Sequence, residues 1–466
     1  MTIIRKLSFA IALVFVLAVG VSCSGEELRG AWLSAWNPGY FTADQVDATI
    51  AAAKAAHLNA LFIQVRKNAD SYYDSKIEPR AAEVAPDFDP LAYTIQKAHA
   101  QGIKVIAWVN AYRVWTAKTM PADPNHIVNL HPDWLNMSHE GSMRASEGIY
   151  LDPGVPAACD HIASVVVDIA SRYDVDGIQW DYIRYPGRDW GYSDTALARY
   201  YAASGTNTKP DPKDPNWLQW RRDQVTKLVK TVHDQVHAIK PKLMICASTI
   251  PWGDCPADFH DTSPYAYVCQ DWKLWLENGW LDANLPMNYK AEKNAKMAQQ
   301  FRNWLKGFAR WNGGKPTYVG IDLGQNDNAD VINQIEATRK AGLEGYVLFA
   351  FGQSKRRQSL VESLGGKPAM AQPVVAAVGS DNKAAKEAYD LGIKYATANQ
   401  IGLAEVQLKK ATRLDPDYAE AYFRLGRCYL KERNKAKAKE MFEQTLRLDP
   451  SHEDAKKELN AISEPK

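Results

Sequence analysis

Almost no charge of either sign is left over in this sequence: 56 Lys and Arg stand against 54 Asp and Glu, a formal net charge of +2. No block of basic residues interleaves with aromatics, so nothing in the chain asks for nucleic acid. Cysteine is scarce, six in 466 residues. None falls in a CxxC or in a Cys/His cluster with metal-ligand spacing, and no metal is expected. His233 and His237 lie four apart on a helical pattern, but HDQVH lacks the Glu of a zinc-protease motif, and the pair is read as solvated. The Gly-rich first turn that opens a dinucleotide-binding sheet is missing as well.

The apolar run at 7–19, behind Arg5 and Lys6, is too short to span a bilayer comfortably. Small residues follow in Gly20-Val21-Ser22-Cys23-Ser24-Gly25, so residues 1–25 are expected to be an export signal. Two fates compete, ordinary cleavage or lipidation of Cys23, since GVSC is similar to a bacterial lipobox with Gly20 where Leu, Val or Ile is usual. Either way the mature protein is expected outside the cytoplasm, in the periplasm or on the cell envelope, touching membrane only through a lipid at Cys23. In that setting Cys255 and Cys269, which flank one loop, could pair. Cys159, Cys246 and Cys428 are expected to be buried thiols.

What the sequence has in quantity is aromatic residues, 15 Trp and 22 Tyr, and a regular alternation of patterns. Strand-like runs at 28–36, 58–66, 103–110, 175–181, 242–249, 281–289, 316–322 and 344–351 alternate with helix-period stretches. The latter include 43–56, 90–101, 156–173, 217–239 and 329–341. Eight such strands with intervening helices predict an α/β fold, a (β/α)₈ TIM barrel, over 26–362. Links from helix to strand are short, with Gly102, Gly279 and Gly342 placed for left-handed caps. Links from strand to helix are long, notably 111–154, 182–214 and 250–269. Long loops of that kind build a barrel's active face, so the ends of the strands are where function is expected.

Residues 363–382 are rich in Gly, Pro and Ala and are expected to be a linker. Beyond it Leu391-Gly392, Tyr395, Ala404 and Leu414-Asp415-Pro416 recur as Leu425-Gly426, Tyr429, Ala438 and Leu448-Asp449-Pro450, each offset by 34 residues. That spacing matches the tetratricopeptide repeat. Residues 383–466 therefore form two repeats and a terminal helix, a small all-α module expected to dock a protein partner.

Asp181 ends the fourth strand run and is expected to point into the top-face pocket. There it suits a nucleophile, a base or a stabiliser of an oxocarbenium-like transition state; capping the next loop is the bland alternative. Asp174 and Asp176 precede the strand and belong at the bottom. Other strand ends bring Gln64, Arg66, Asn110, Tyr112, Arg113, Tyr182, Arg184, Tyr185, Ser248, Asn288, Tyr289 and Asp322. Buried polar groups are costly unless paired, so their convergence suits a polyhydroxylated ligand.

At these residues the chain resembles the glycosyl hydrolase-like family 10, exported bacterial barrel proteins. The matching runs include RGAWLSAW, NALFIQVR, FDPLAYTIQKAHAQGIKVIAWVNAYRV, HPDWL, YLDPGVP, YDVDGIQWDYIRYP, QWRRDQV and QDWKLWLENGWLDANLPMNY, in family order over roughly 28–350. The resemblance implies a (β/α)₈ barrel, no obligatory cofactor, and hydrolysis of glycosidic bonds in a polysaccharide, with cell-envelope glycan one type of substrate. Where the family shows two adjacent acids at the end of strand four, this chain has Trp180-Asp181, and it has Ala111 where Pro is common. DGIQWDYI also looks like the strand-four motif of chitinases, but Ile183 stands where that motif ends in its acid.

Glycoside hydrolysis normally uses two carboxyl groups. Candidates for the second are Glu147, Asp152, Asp254 and Asp271. Asp271 comes first because it matches an Asp of the family's corresponding run, with a helix N-cap as its alternative; Asp152 comes next. Trp115, Trp134, Trp190 and Trp252 all fall in strand-to-helix loops and are expected at the mouth, stacked on successive sugar rings, unless they anchor their own loops. Two other readings compete: an inactive carbohydrate-binding barrel, and a scaffold whose repeats carry the function.

Overall fold

A computed structural model of the chain describes residues 27–37, 39–365, 382–449 and 452–463. The expected export signal with Cys23, and nearly all of the expected linker, lie outside the described residues. All eight strand runs form strands: β1 Leu28–Leu33, β2 Ala60–Arg66, β3 Lys104–Asn110, β4 Gly177–Asp181, β5 Met244–Thr249, β6 Ala283–Pro286, β7 Tyr318–Asp322 and β8 Gly345–Phe349. They pair in parallel in chain order from β1 to β6, β8 pairs with β1, and β7 with β8. Two isolated parallel bridges, Asn284 to Thr317 and Met287 to Gly320, bring β6 against β7, so the sheet nearly closes into the predicted barrel.

The strands bury both faces. Leu28, Trp32, Ala60, Phe62, Ile106, Trp108, Cys246, Ala283, Leu285 and Val347 fill the interior. The alternate residues, among them Leu33, Ile63, Val105, Ile178, Trp180 and Ile321, pack outward under the helices. Gly320 makes room in the interior: a Cβ there would lie 3.0 Å from the Trp32 ring. The helices Ala43–Ala55, Pro90–His99, Pro156–Arg172, Pro215–Ile239 and Asn328–Lys340 fall within a few residues of expectation. Gly102, Gly279 and Gly342 have φ of +69°, +72° and +71°, the left-handed caps that the short links require.

The C-terminal helices Lys383–Thr397, Ile401–Leu414, Ala419–Lys431, Lys435–Leu448 and Glu453–Ser463 form a separate compact unit with its own core. The repeat has a steric basis. Gly392 lies where a Cβ would come within 2.8 Å of Leu408, and Gly426 where it would come within 2.6 Å of Phe442. The expected Cys255–Cys269 pairing is not formed: both are free thiols, Cys269 buried and Cys255 beside Arg310. Among the described residues no helix is long and apolar enough to cross a membrane.

Candidate active site

Alternation along β4 decides which of its acidic positions matters. Ile178 and Trp180 belong to the layer under the helices, whereas Gln179 bonds to Trp32 and Ser248 inside the barrel and Asp181 bonds to Trp108. Position 180 therefore faces away from the interior, and Asp181 is the inward carboxylate of this strand. It is only 5% exposed. Oδ2 accepts from the Trp108 indole at 3.1 Å and Oδ1 from the Tyr182 backbone N–H at 2.7 Å. Tyr182 makes that bond with φ at +49°, a left-handed conformation that costs a bulky residue about 1–3 kcal/mol and is typical of functional sites. Burial pushes the Asp181 carboxyl up, and the nearby Arg113 and Arg184 only partly offset it.

The two guanidinium groups share one aromatic ring. Arg113 lies 3.7 Å and Arg184 4.7 Å from the centre of Tyr182, and Arg113 donates to its hydroxyl. Arg184 also lies 5.6 Å from the Trp252 ring and is bridged at 3.2 Å to Glu147. Burial acts to raise Glu147, but Arg184, the Tyr150 hydroxyl at 2.8 Å and Arg113 together hold its carboxyl below the usual range. Glu147 is thus an ionised counter-charge.

Across the mouth, Tyr289 stacks on Phe349 at 5.3 Å and meets Trp32 edge-on at 6.5 Å. Its hydroxyl is raised by burial and then by the charges of Asp181 and Asp322. Two carboxylates on different strands therefore act on one phenol. Asp322, at the end of β7, accepts from the Gly324 N–H at 2.9 Å and the Gln325 amide at 2.7 Å. Asp181, Tyr182, Arg113, Arg184, Trp252, Tyr289 and Asp322 thus belong to one neighbourhood.

The remaining expected site residues do not join it. Arg66 is fully buried in a two-pronged bond to Glu78, at 2.8 and 2.7 Å, and also donates to the carbonyls of Asn110 and Ala111. Gln64 bonds to Ala35 N–H and Asn110, and Asn110 to the Lys67 carbonyl. Ser248 accepts from Gln179 at 2.5 Å. Tyr112 and Tyr185 lie in the outer layer, bonded to Cys159 and Asp152, and Asn288 donates to the Phe301 carbonyl. These side chains brace the strand ends.

Both favoured second acids are engaged with other groups. Asp271 is the N-cap of the helix Trp272–Glu277, accepting from Leu274 N–H at 3.2 Å, in the company of Arg222, His260 and Lys273. Asp152 is fully buried, held by Ser193 at 2.7 Å and Gly154 N–H at 2.8 Å. Asp254, at the rim, accepts from Asn303 at 2.9 Å. Three of the four loop tryptophans also fold down. Trp115 donates to Thr119 O at 2.6 Å, Trp134 stacks on His131 at 3.7 Å, and Trp190 is buried. Only Trp252 of the four stays largely exposed. Trp36 was not among the expected site residues, although the strand run that became β1 continued as far as it. Among the described residues no group of three or more His, Cys, Asp or Glu is placed to hold a metal ion.

Comparison with known proteins agrees with this architecture. The family model for glycosyl hydrolase-like 10 matches residues 27–341, well over half the chain, and a tetratricopeptide repeat model matches 395–462. Glycosyl hydrolase DigH of Escherichia coli K12 is 30% identical over 253 residues, 50% of this chain and 54% of DigH. Glycosyl hydrolase YngK of Bacillus subtilis is 26% identical over 320 residues, 62% of this chain and 59% of YngK. The chain thus spans little more than half the length of these curated relatives. Among solved structures, the glycoside hydrolase domain of PgaB (BpsB) from Bordetella bronchiseptica superposes with a TM-score of 0.52 at 15% identity, covering 73% of this chain and 99% of that one. Alpha-L-fucosidase isoenzyme 2 from Paenibacillus thiaminolyticus gives 0.53 at 15% identity, over 77% of this chain and 54% of that one. At such identities these two likenesses speak for the barrel fold alone.

Proposed function

Because the chain belongs to the glycosyl hydrolase-like 10 family, we propose that it is a glycoside hydrolase, exported by its N-terminal segment, which cleaves glycosidic bonds of a cell-envelope polysaccharide. The observation that carries this reading is Asp181, the inward carboxylate that ends β4, bonded to the Trp108 indole beside the Tyr182, Arg113 and Arg184 cluster, with Asp322 ending β7 of the same barrel. Asp181, whose carboxyl burial pushes up, is the general acid that gives a proton to the departing glycosidic oxygen. Asp322 supplies the second carboxylate, acting on the anomeric carbon or on the attacking water. Tyr289, Tyr182 and the two arginines orient the sugar between them. The helical repeats dock a protein partner, a role that needs no contribution from the barrel.

The test is release of reducing ends from purified cell-wall glycan by the full chain, by Asp181→Asn and by Asp322→Asn. Turnover by the parent and its loss in both variants, with folding unchanged, supports the assignment. Glycan binding without turnover by the parent would instead make the barrel a carbohydrate-binding module. Near-normal turnover by Asp181→Asn overturns the catalytic role given to that residue.

A further inference from the structure

Two tryptophans at the mouth are built alike. Trp36 follows the end of β1 by three residues and is 54% exposed; Trp252 follows the end of β5 by three and is 45% exposed. Among the described residues no other tryptophan is as exposed. In a barrel of eight strands in chain order, β1 and β5 are as far apart around the ring as two strands can be. The two indoles therefore stand on opposite sides of the opening, with Asp181 on β4 and Tyr289 beyond β6 between them.

The support under each ring is also alike. The Lys67 ammonium lies 4.7 Å from the Trp36 ring, and the Arg184 guanidinium 5.6 Å from the Trp252 ring. Both cations are buried, and each is bridged to a glutamate, Lys67 to Glu83 at 2.7 Å and Arg184 to Glu147 at 3.2 Å. Each glutamate accepts from a tyrosine hydroxyl in turn, Tyr72 at 3.3 Å and Tyr150 at 2.8 Å. A cation seated on an indole orients the ring without burying it. In each case a glutamate partly offsets the charge of the cation. A half-exposed indole held in this way is an apolar shelf, and its counterpart lies across the opening.

We propose that Trp36 and Trp252 are two sugar-stacking platforms, and that a stretch of polysaccharide lies across the mouth from the β1 side to the β5 side, passing over Asp181. The enzyme then cleaves within the chain and not from its end. The polysaccharide as ligand rests on the function proposed above; the two-platform geometry does not depend on turnover.

The experiment uses the full chain carrying Asp181→Asn, so that ligand survives. It is titrated by calorimetry with disaccharides to hexasaccharides of β-1,4-linked N-acetylglucosamine, glucose, xylose and mannose. Affinity should rise with length in at least one series. Adding Trp36→Ala or Trp252→Ala should each weaken the hexasaccharide about tenfold, equivalent to about 1.4 kcal/mol, while changing the disaccharide much less. Trp36→Phe and Trp252→Phe should restore most of the loss, and melting temperatures should not move, because both side chains are exposed. Binding that does not depend on length, that survives either alanine change, or that is absent for every series overturns the platforms. Platform-dependent binding together with no turnover by the parent overturns the hydrolase and leaves the platforms standing; turnover with length-independent binding does the reverse.

Discussion

The two sides of the barrel mouth carry similar polar residues and use them differently. At the ends of β2 and β3, Gln64, Arg66 and Asn110 are buried, and their hydrogen bonds close on the protein itself. At the end of β4, Asp181 lies beside Tyr182, Arg113 and Arg184, and just beyond β6 the Tyr289 hydroxyl is raised by burial and then by the charges of Asp181 and Asp322. A polar side chain at the end of a barrel strand is therefore not yet a ligand group. It becomes one only where the fold leaves it without a full set of internal partners. The braced side holds the strand ends in place, and the other side can then keep a carboxyl in an unfavourable buried position.

The largest effect should come from the open side. Asp181→Asn is expected to lower turnover by about 10²–10⁴-fold, the range for loss of a general acid, measured as reducing-end release. The same variant should melt no lower than the parent at neutral pH. The folded pKa of Asp181 is raised, so its favourable contribution is complete at low pH and is lost as pH rises from the unfolded value through the folded one. An amide does not pay that charge penalty, so its melting temperature should gain on the parent's as pH rises. For the same reason catalysis should fall as pH rises through the pKa of this acid. A melting temperature well below the parent's at pH 7 would place Asp181 with the braced residues and break the comparison.

The braced side should show the opposite signature. Glu78 is fully enclosed with Arg66 and His161, the latter at 2.9 Å; burial opposes its charge, but these two partners hold its pKa down to about 2. Glu78→Gln should cost about 3–5 kcal/mol by leaving a buried guanidinium without its counter-charge, read by denaturant unfolding. Turnover per folded molecule should persist. Because its folded pKa is depressed, the stability Glu78 contributes is present above the unfolded carboxylate value and is lost as pH falls towards 2.

Gln64→Leu should give a smaller loss, about 1–3 kcal/mol, since it leaves the Ala35 N–H and the Asn110 carbonyl oxygen without their partner. A stable Gln64→Leu protein that no longer binds glycan would move Gln64 to the open side. The smallest effect expected is from truncation after Gly365. The helices beyond it have their own core, so the barrel should keep its melting transition and its turnover. Loss of either would mean that the barrel depends on the repeats.

The barrel was legible because its signals are local. All eight strand runs, five helices and the three left-handed glycines were found where the patterns put them, though the β1 and β6 runs overshot. Leu28–Leu33 was read three residues too far, and in that overshoot sat Trp36. The repeat was legible for a related reason: Gly392 and Gly426 must stay small against Leu408 and Phe442, and that constraint recurs along the chain. The acidic loop residues were harder, because an Asp at a helix start looks the same whether it caps a helix, as Asp271 does, or faces a ligand.

By itself, then, the sequence determined the alternation of strands and helices, the inward position of Asp181 and the repeat module. Each of these follows from a period of a few residues, or from one repeat of 34. Only the tertiary structure decided which polar strand ends stay open, that Asp152 is held by Ser193 and Gly154 and Asp271 caps a helix, and that of four loop tryptophans only Trp252 remains largely exposed. Those outcomes depend on partners far along the chain: Asp181 on Trp108, Arg66 on Glu78 and Glu78 on His161, separated by 73, 12 and 83 residues. Whether a buried polar group is saturated or free is a property of the packed barrel, because hydrogen bonds in a closed sheet are made between elements that no local pattern connects.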